Sequence, residues 1–358
     1  MKIRAILHAI LVGFVGLSGC GTYDRHGFDP VRAHQIQQQL MPGKPLLGRE
    51  LKDRILALNP EAVTARDVSE VLAHAPAPQI IKIHGGIGLS VGKMVSFSDF
   101  MLGMGYPGTS LTNAGDGTVT FSCYESSEMI AGIIAWYYEQ GGLRPMIVGH
   151  SQGGIQAVKV LHQLAGHFVP KLSVYNPLTW KKEERDEFMD PLTGEKRSVV
   201  GLTLPYVSSV GAGGITRLMP NQWEMNFKLR TIPDTVEEFT GFCKNYDLLG
   251  GDYLGYGPAN HSEASGTAAV RNVWLPTKYD HGHIPDTKHL LESQAMKDWI
   301  NNYHPSKDPV VYLKLDVAFA GDSRHILWAA DVWYSIKKHW VLELQRLIRA
   351  DRSKNHDK

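Results

Sequence analysis

The stretch Pro145-Met146-Ile147-Val148-Gly149-His150-Ser151-Gln152-Gly153-Gly154-Ile155 constrains the fold more than any other part of the chain. A short apolar run bounded by turn residues reads as a buried strand, and the residues from Ile155 to Leu164 carry helical spacing. Only a Gly-x-Ser-x-Gly joint separates the two, so the chain must turn sharply from strand into helix. A strand that feeds directly into a covering helix is the unit of a parallel sheet. Glycine at 149 and 153 removes side chains that would clash in so tight a turn. Ser151 is thereby pushed out at the carboxyl edge of the sheet. The N-terminus of the following helix offers partial positive charge to an anion forming beside it.

The flanking sequence repeats this rhythm. Gln79 to His84 and Arg144 to Val148 are apolar runs that predict buried strands. Phe97, Phe100, Met101 and Met104 have helical spacing, and a helix from about Tyr124 to Glu139 ends at Gly141-Gly142. Lys171 to Tyr175 predicts a third strand, Glu237 to Lys244 and Arg271 to Leu275 further ones, and Thr287 to Asn302 a helix. The expected class is α/β, a mostly parallel sheet with helices on both faces, spanning residues 76–305. Residues 178–232 break the alternation with a charged run, Lys181 to Glu187, and with Gly211, Gly213 and Gly214. They read as a lid-like insertion or as an ordinary surface excursion. A chain that is 43% hydrophobic and 20% charged can bury a large core, which excludes disorder. With 37 basic against 36 acidic side chains it has no electrostatic footprint for nucleic acid.

The Gly149-His150-Ser151-Gln152-Gly153 segment resembles the nucleophile elbow of α/β-hydrolase fold serine esterases and lipases. The resemblance covers residues 79–302. It implies an α/β-hydrolase fold and a carboxylic ester hydrolase in which Ser151 is the nucleophile, working without a cofactor. The strand that ends in His84-Gly85-Gly86 matches the loop that supplies one oxyanion donor in that family, assigned here to the Gly86 N–H, with the Gln152 N–H as the other. His84 reads as structural. The family order of Ser, acid and His points to Asp247 at the end of a strand, with Asp252 as the alternative. The histidine is His281, which has the His-x-x-Ile-Pro spacing, or His283, which has a Gly-His pair. A metal site on His281, His283 and a neighbouring Asp280 or Asp286 is a rival use of the same loop, and no third ligand cluster accompanies it. An acyltransferase or amidase would share the first chemical step. A non-catalytic envelope protein that keeps the fold is a further alternative.

The two ends of the chain carry other information. Lys2 and Arg4 precede an apolar run from Ala5 to Leu17, about 20 Å as a helix and short of a membrane span. That run is read as a secretory signal. It ends in Leu17-Ser18-Gly19-Cys20, which resembles the lipobox of bacterial lipoproteins. The resemblance implies removal of residues 1–19 and acylation of Cys20. With Gly21 next, it implies a lipid anchor in the outer membrane of a bacterial cell envelope, facing the periplasm. Residues 20–75 read as a tether and a helical segment in which Thr64 and Asp67 form a capping pair. Residues 306–358 predict a strand over 310–319 and a long helix with apolar residues near a seven-residue period. The basic residues on that helix leave open whether it packs on its own domain or lies against anionic lipid. Cys123 and Cys243 would sit in an oxidising compartment, where they could pair.

Overall fold

The computed structural model describes residues 47–213, 220–250 and 261–356. The signal segment, Cys20 and Asp252 lie outside the described residues. After α1 (Arg49–Ala57) and α2 (Ala65–Glu70) the chain enters β1 (Ile80–Ile83), α3 (Leu89–Gly103), α4 (Ser127–Gly141), β2 (Met146–His150) and α5 (Gln152–Leu164). Two small antiparallel pairs follow. They are β3 (Tyr175–Asn176) with β4 (Lys181–Lys182), and β5 (Glu187–Met189) with β6 (Lys196–Ser198). Then come β7 (Leu204–Val210), β8 (Thr231–Ile232), β9 (Val236–Lys244), β10 (Glu263–Ala264), β11 (Ala269–Leu275), α6 (Gln294–Asn301), β12 (Val310–Tyr312) and α7 (Ile326–His356).

The central sheet has six strands in the order β1-β2-β7-β9-β11-β12, and every neighbouring pair is parallel. One register row, Ile83, Gly149, Ser209, Gly241, Asn272 and Val310, crosses it from edge to edge. Beyond that row the strands end together on one side. Ligands of open parallel sheets bind beyond the carboxyl ends of the strands.

Alternate residues of each strand face opposite sides, and here each side has its own core. Ile81, Ile83, Ile147 and Val207 pack with α4 and α5. Ile80, Met146, Val148, Tyr206, Val210, Phe242 and Val273 pack with α1, α3 and α7. The sheet is buried on both faces, which is why β1 and β2 read as nearly continuous apolar runs.

The 31-residue α7 lies along the second face, with Trp328, Trp333 and Trp340 fully buried. Its charged residues meet partners within the protein. Arg271 donates to Asp331 at 2.8 Å, Lys338 reaches Glu238 at 2.9 Å, and Arg144 and Arg346 both bind Glu343. The helix therefore packs on its own domain. Among the described residues no helix is long and apolar enough to cross a membrane.

Four expectations are corrected. Lys171 to Tyr175 is not a strand of the sheet; only Tyr175 and Asn176 pair, antiparallel to Lys181 and Lys182 and apart from it. The third strand is instead β7, which lies within the expected insertion 178–232 and runs between β2 and β9. Its sequence, Leu-Pro-Tyr-Val-Ser-Ser-Val, hides it, because Pro and paired Ser are turn residues. Ser209 is small for a packing reason: a Cβ on Gly154 would lie 2.6 Å from Ser209 Oγ, so α5 rides directly on that strand. The helix expected over 287–302 is broken. A 3₁₀ turn covers Lys288–Glu292, and α6 starts afresh where the Ser293 hydroxyl caps Met296 N–H. Of 310–319, only Val310–Tyr312 pairs as a strand.

Candidate active site

Ser151 stands between β2 and α5 with φ 55° and ψ −121°. A non-glycine residue in this region carries about 1–3 kcal/mol of strain and needs support from its surroundings. The support is backbone. Ser151 N–H donates to Val210 O at 2.7 Å, and Ser151 O accepts from Gly154 N–H at 2.9 Å. The flanking glycines are required by contact: a Cβ on Gly149 would lie 2.4 Å from Gly153 O, and one on Gly153 would lie 2.2 Å from Ile83 O.

His281 Nε2 is 2.9 Å from Ser151 Oγ, and His281 Nδ1 is 2.7 Å from Asp247 Oδ2. A carboxylate can only accept, so Nδ1 carries the proton and Nε2 is left to accept from the serine hydroxyl. Asp247 is almost fully buried, and burial alone would raise its pKa. The His281 hydrogen bond and charge, the Gly250 N–H at 2.9 Å and the Lys244 charge outweigh burial and hold it below the ordinary carboxylate value. His281 is itself positioned. Its backbone carbonyl accepts from His150 Nε2–H at 2.8 Å, and the Asp280 side chain caps the 3₁₀ turn in which it sits. Burial, with the neighbouring His281 adding to it, lowers the His150 pKa to about 3, so that ring is a neutral strut.

The two histidines are thus separated by structure. His281 is brought to Ser151, while His283 is half exposed and pairs with Asp280 at 3.2 Å. Asp286, in turn, binds Lys93 and Ser96. Among the described residues no group of three His, Cys, Asp or Glu side chains is placed to hold a metal ion. Cys123 and Cys243 are both buried and are not bonded to each other.

The loop after β1 lies on top of the elbow. A Cβ on Gly85 would be 3.0 Å from Ser151 Cβ, and one on Gly86 would be 2.3 Å from Gln152 Oε1. Gly86 and Gln152 are buried, and neither backbone N–H donates to an acceptor among the described residues. The Gln152 N–H opens α5, where the first turn has no intrahelical acceptors. Two such groups beside one serine form a site for negative charge. His84 is also buried, its Nδ1 2.7 Å from Gly85 O.

Several supporting residues escaped the sequence reading. Gly211 has φ +64°, and a Cβ there would lie 2.7 Å from His281 Cε1. A Cβ on Gly250 would lie 2.4 Å from Asp247 Oδ2. The one sequence signal was position: Gly211 directly follows the end of β7, and Gly250 lies three residues after Asp247. No family model, curated protein or solved structure matches the chain.

Proposed function

We propose that this chain is a serine hydrolase of the α/β-hydrolase fold that cleaves carboxylic esters through an acyl-enzyme. The observation that carries the reading is the unbroken relay from Ser151 Oγ to His281 to Asp247, with two N–H groups alongside that have no acceptor among the described residues. In the reaction His281 Nε2 takes the Ser151 proton as Oγ attacks the ester carbonyl. Asp247 stabilises the imidazolium without taking its proton. The carbonyl oxygen becomes an oxyanion and accepts from Gly86 and Gln152 N–H. As the C–O bond breaks, His281 returns the proton to the leaving alcohol. Water then repeats the sequence on the acyl-enzyme and releases the acid. No cofactor is required.

An apolar acyl group suits the surroundings. Ile87 and Leu89 follow the oxyanion loop, Tyr246, Leu248 and Leu249 flank Asp247, and all five side chains are exposed. A Cys20 lipid anchor in the bacterial envelope would hold such a site near lipid esters. A fluorophosphonate probe tests the reading. Wild type should be labelled and Ser151→Ala should not, and an unlabelled, folded wild type would refute it. Comparing p-nitrophenyl butyrate with the palmitate then measures the acyl preference.

A further inference from the structure

We infer that Ser90 is a positioning residue that aims the Gly86 N–H at the reacting centre, an inference that rests on the hydrolase reading above. Ser90 lies in the first turn of α3 and is almost fully buried. Its Oγ is 2.7 Å from Gly85 O and 2.5 Å from Ile87 O, and its own N–H donates to Ile87 O at 2.8 Å. His84 Nδ1–H is a second donor to Gly85 O. The geometric consequence is fixed by the peptide group. The unit joining Gly85 and Gly86 is planar, and no described peptide bond is cis. Its C=O and N–H therefore point in opposite directions. Fastening Gly85 O to α3 turns the Gly86 N–H the other way.

The clamp has a reason to exist. Two successive glycines form the least restrained backbone a chain can offer, and this pair must approach Ser151 and Gln152 too closely for side chains. The loop therefore cannot rigidify itself. A donor that swings freely must be reoriented as charge develops, whereas a fixed one need not be. The Ser90 hydroxyl has one hydrogen to share between two carbonyls. Its loss leaves His84 as the remaining donor on Gly85 O, so the effect should be partial.

The test compares wild type, Ser90→Ala and Ser90→Thr in hydrolysis of p-nitrophenyl butyrate, in inhibition by a trifluoromethyl ketone that forms a tetrahedral adduct, and in thermal unfolding. Losing an oxyanion donor outright lowers kcat by about 10²–10³. For Ser90→Ala we expect a drop of about tenfold in kcat, within that ceiling. KM should change less than about twofold, and ketone affinity should fall in parallel with kcat. Ser90→Thr, which keeps the hydroxyl, should recover most of both. A Ser90→Ala enzyme with wild-type kcat and ketone affinity would overturn the inference. So would equal losses in the Ala and Thr variants that track lowered unfolding temperatures. Failure of the wild type to react at Ser151 at all is a different result. It removes the hydrolase reading and this inference with it.

Discussion

Ser151 Oγ and His281 Nε2 meet at 2.9 Å although their strands, β2 and β11, are three places apart in the sheet. At roughly 4.8 Å per strand that is about 14 Å of lateral distance. The chain after β11 closes it by running back across the ends of β9 and β7. Asp247, just beyond β9, anchors the ring, and Gly211, just beyond β7, leaves space for it. The triad is thus assembled across four neighbouring strand ends, those of β2, β7, β9 and β11.

Asp247→Asn should leave the fold intact and lower kcat by about 10³–10⁴, because an amide can present its N–H to Nδ1 and favour the wrong tautomer. His283→Ala should stay within about twofold of wild type, since a partly exposed side chain paired only with Asp280 contributes little. Steady-state hydrolysis of p-nitrophenyl butyrate checks both. Reversed outcomes would move the histidine assignment to His283.

Gly211→Ala should lower kcat by about a hundredfold, because an ångström of misplacement at a reacting group has that effect. The new methyl falls against the His281 ring, at a backbone position of φ +64°. Fluorophosphonate labelling of Ser151 should slow in proportion. Wild-type labelling kinetics would show that the ring has room to spare.

Acid should destabilise the protein well before its carboxylates titrate. Burial lowers the pKa of His150 to about 3, and of His162 and His325 to about 4 each. Below pH about 6.5 the unfolded chain takes up protons on these three residues and the folded chain does not. Stability therefore falls from pH about 6.5 to about 4, at about 1.4 kcal/mol per pH unit for each histidine. Glu238, held at about 2 by His339 and Lys338 against its burial, extends the loss below pH about 4.5. Denaturant unfolding at pH 7, 5.5 and 4.5 measures the slope. A flat profile would contradict the buried neutral state of these rings.

Asp331→Asn should destabilise the fold by about 3–5 kcal/mol, because Arg271 is left charged and buried opposite a neutral amide. The double replacement Arg271→Met with Asp331→Leu should recover most of that. Thermal unfolding of the three proteins reports it. A single variant as stable as wild type would mean that water reaches Arg271.

Much of this was legible in the sequence where local pattern and tertiary demand agree. The strand before Ser151 is an apolar run with clear punctuation, the helix after it has helical spacing, and the strands leading to Asp247 and His281 carry β-branched and aromatic residues. Thr64 and Asp67 form the capping box their spacing predicts. β7 was not legible, because its Pro205 and paired Ser208 and Ser209 elsewhere mark loops. The choice between His281 and His283 was equally hidden. Two residues of spacing cannot say which imidazole turns toward a strand three positions away. The long helix was visible as a period, but only its buried partners show that Lys338 and Arg346 serve the interior.

The placement of α7 bears on how such a chain comes into being. Lys52, near the first described residue, binds Asp351, near the last, at 2.5 Å. Until Ile326 and the turns after it have been made, the second face of the sheet lacks the longest of the helices that cover it. The core on that side can close only once residues 326–348 are available to fill it.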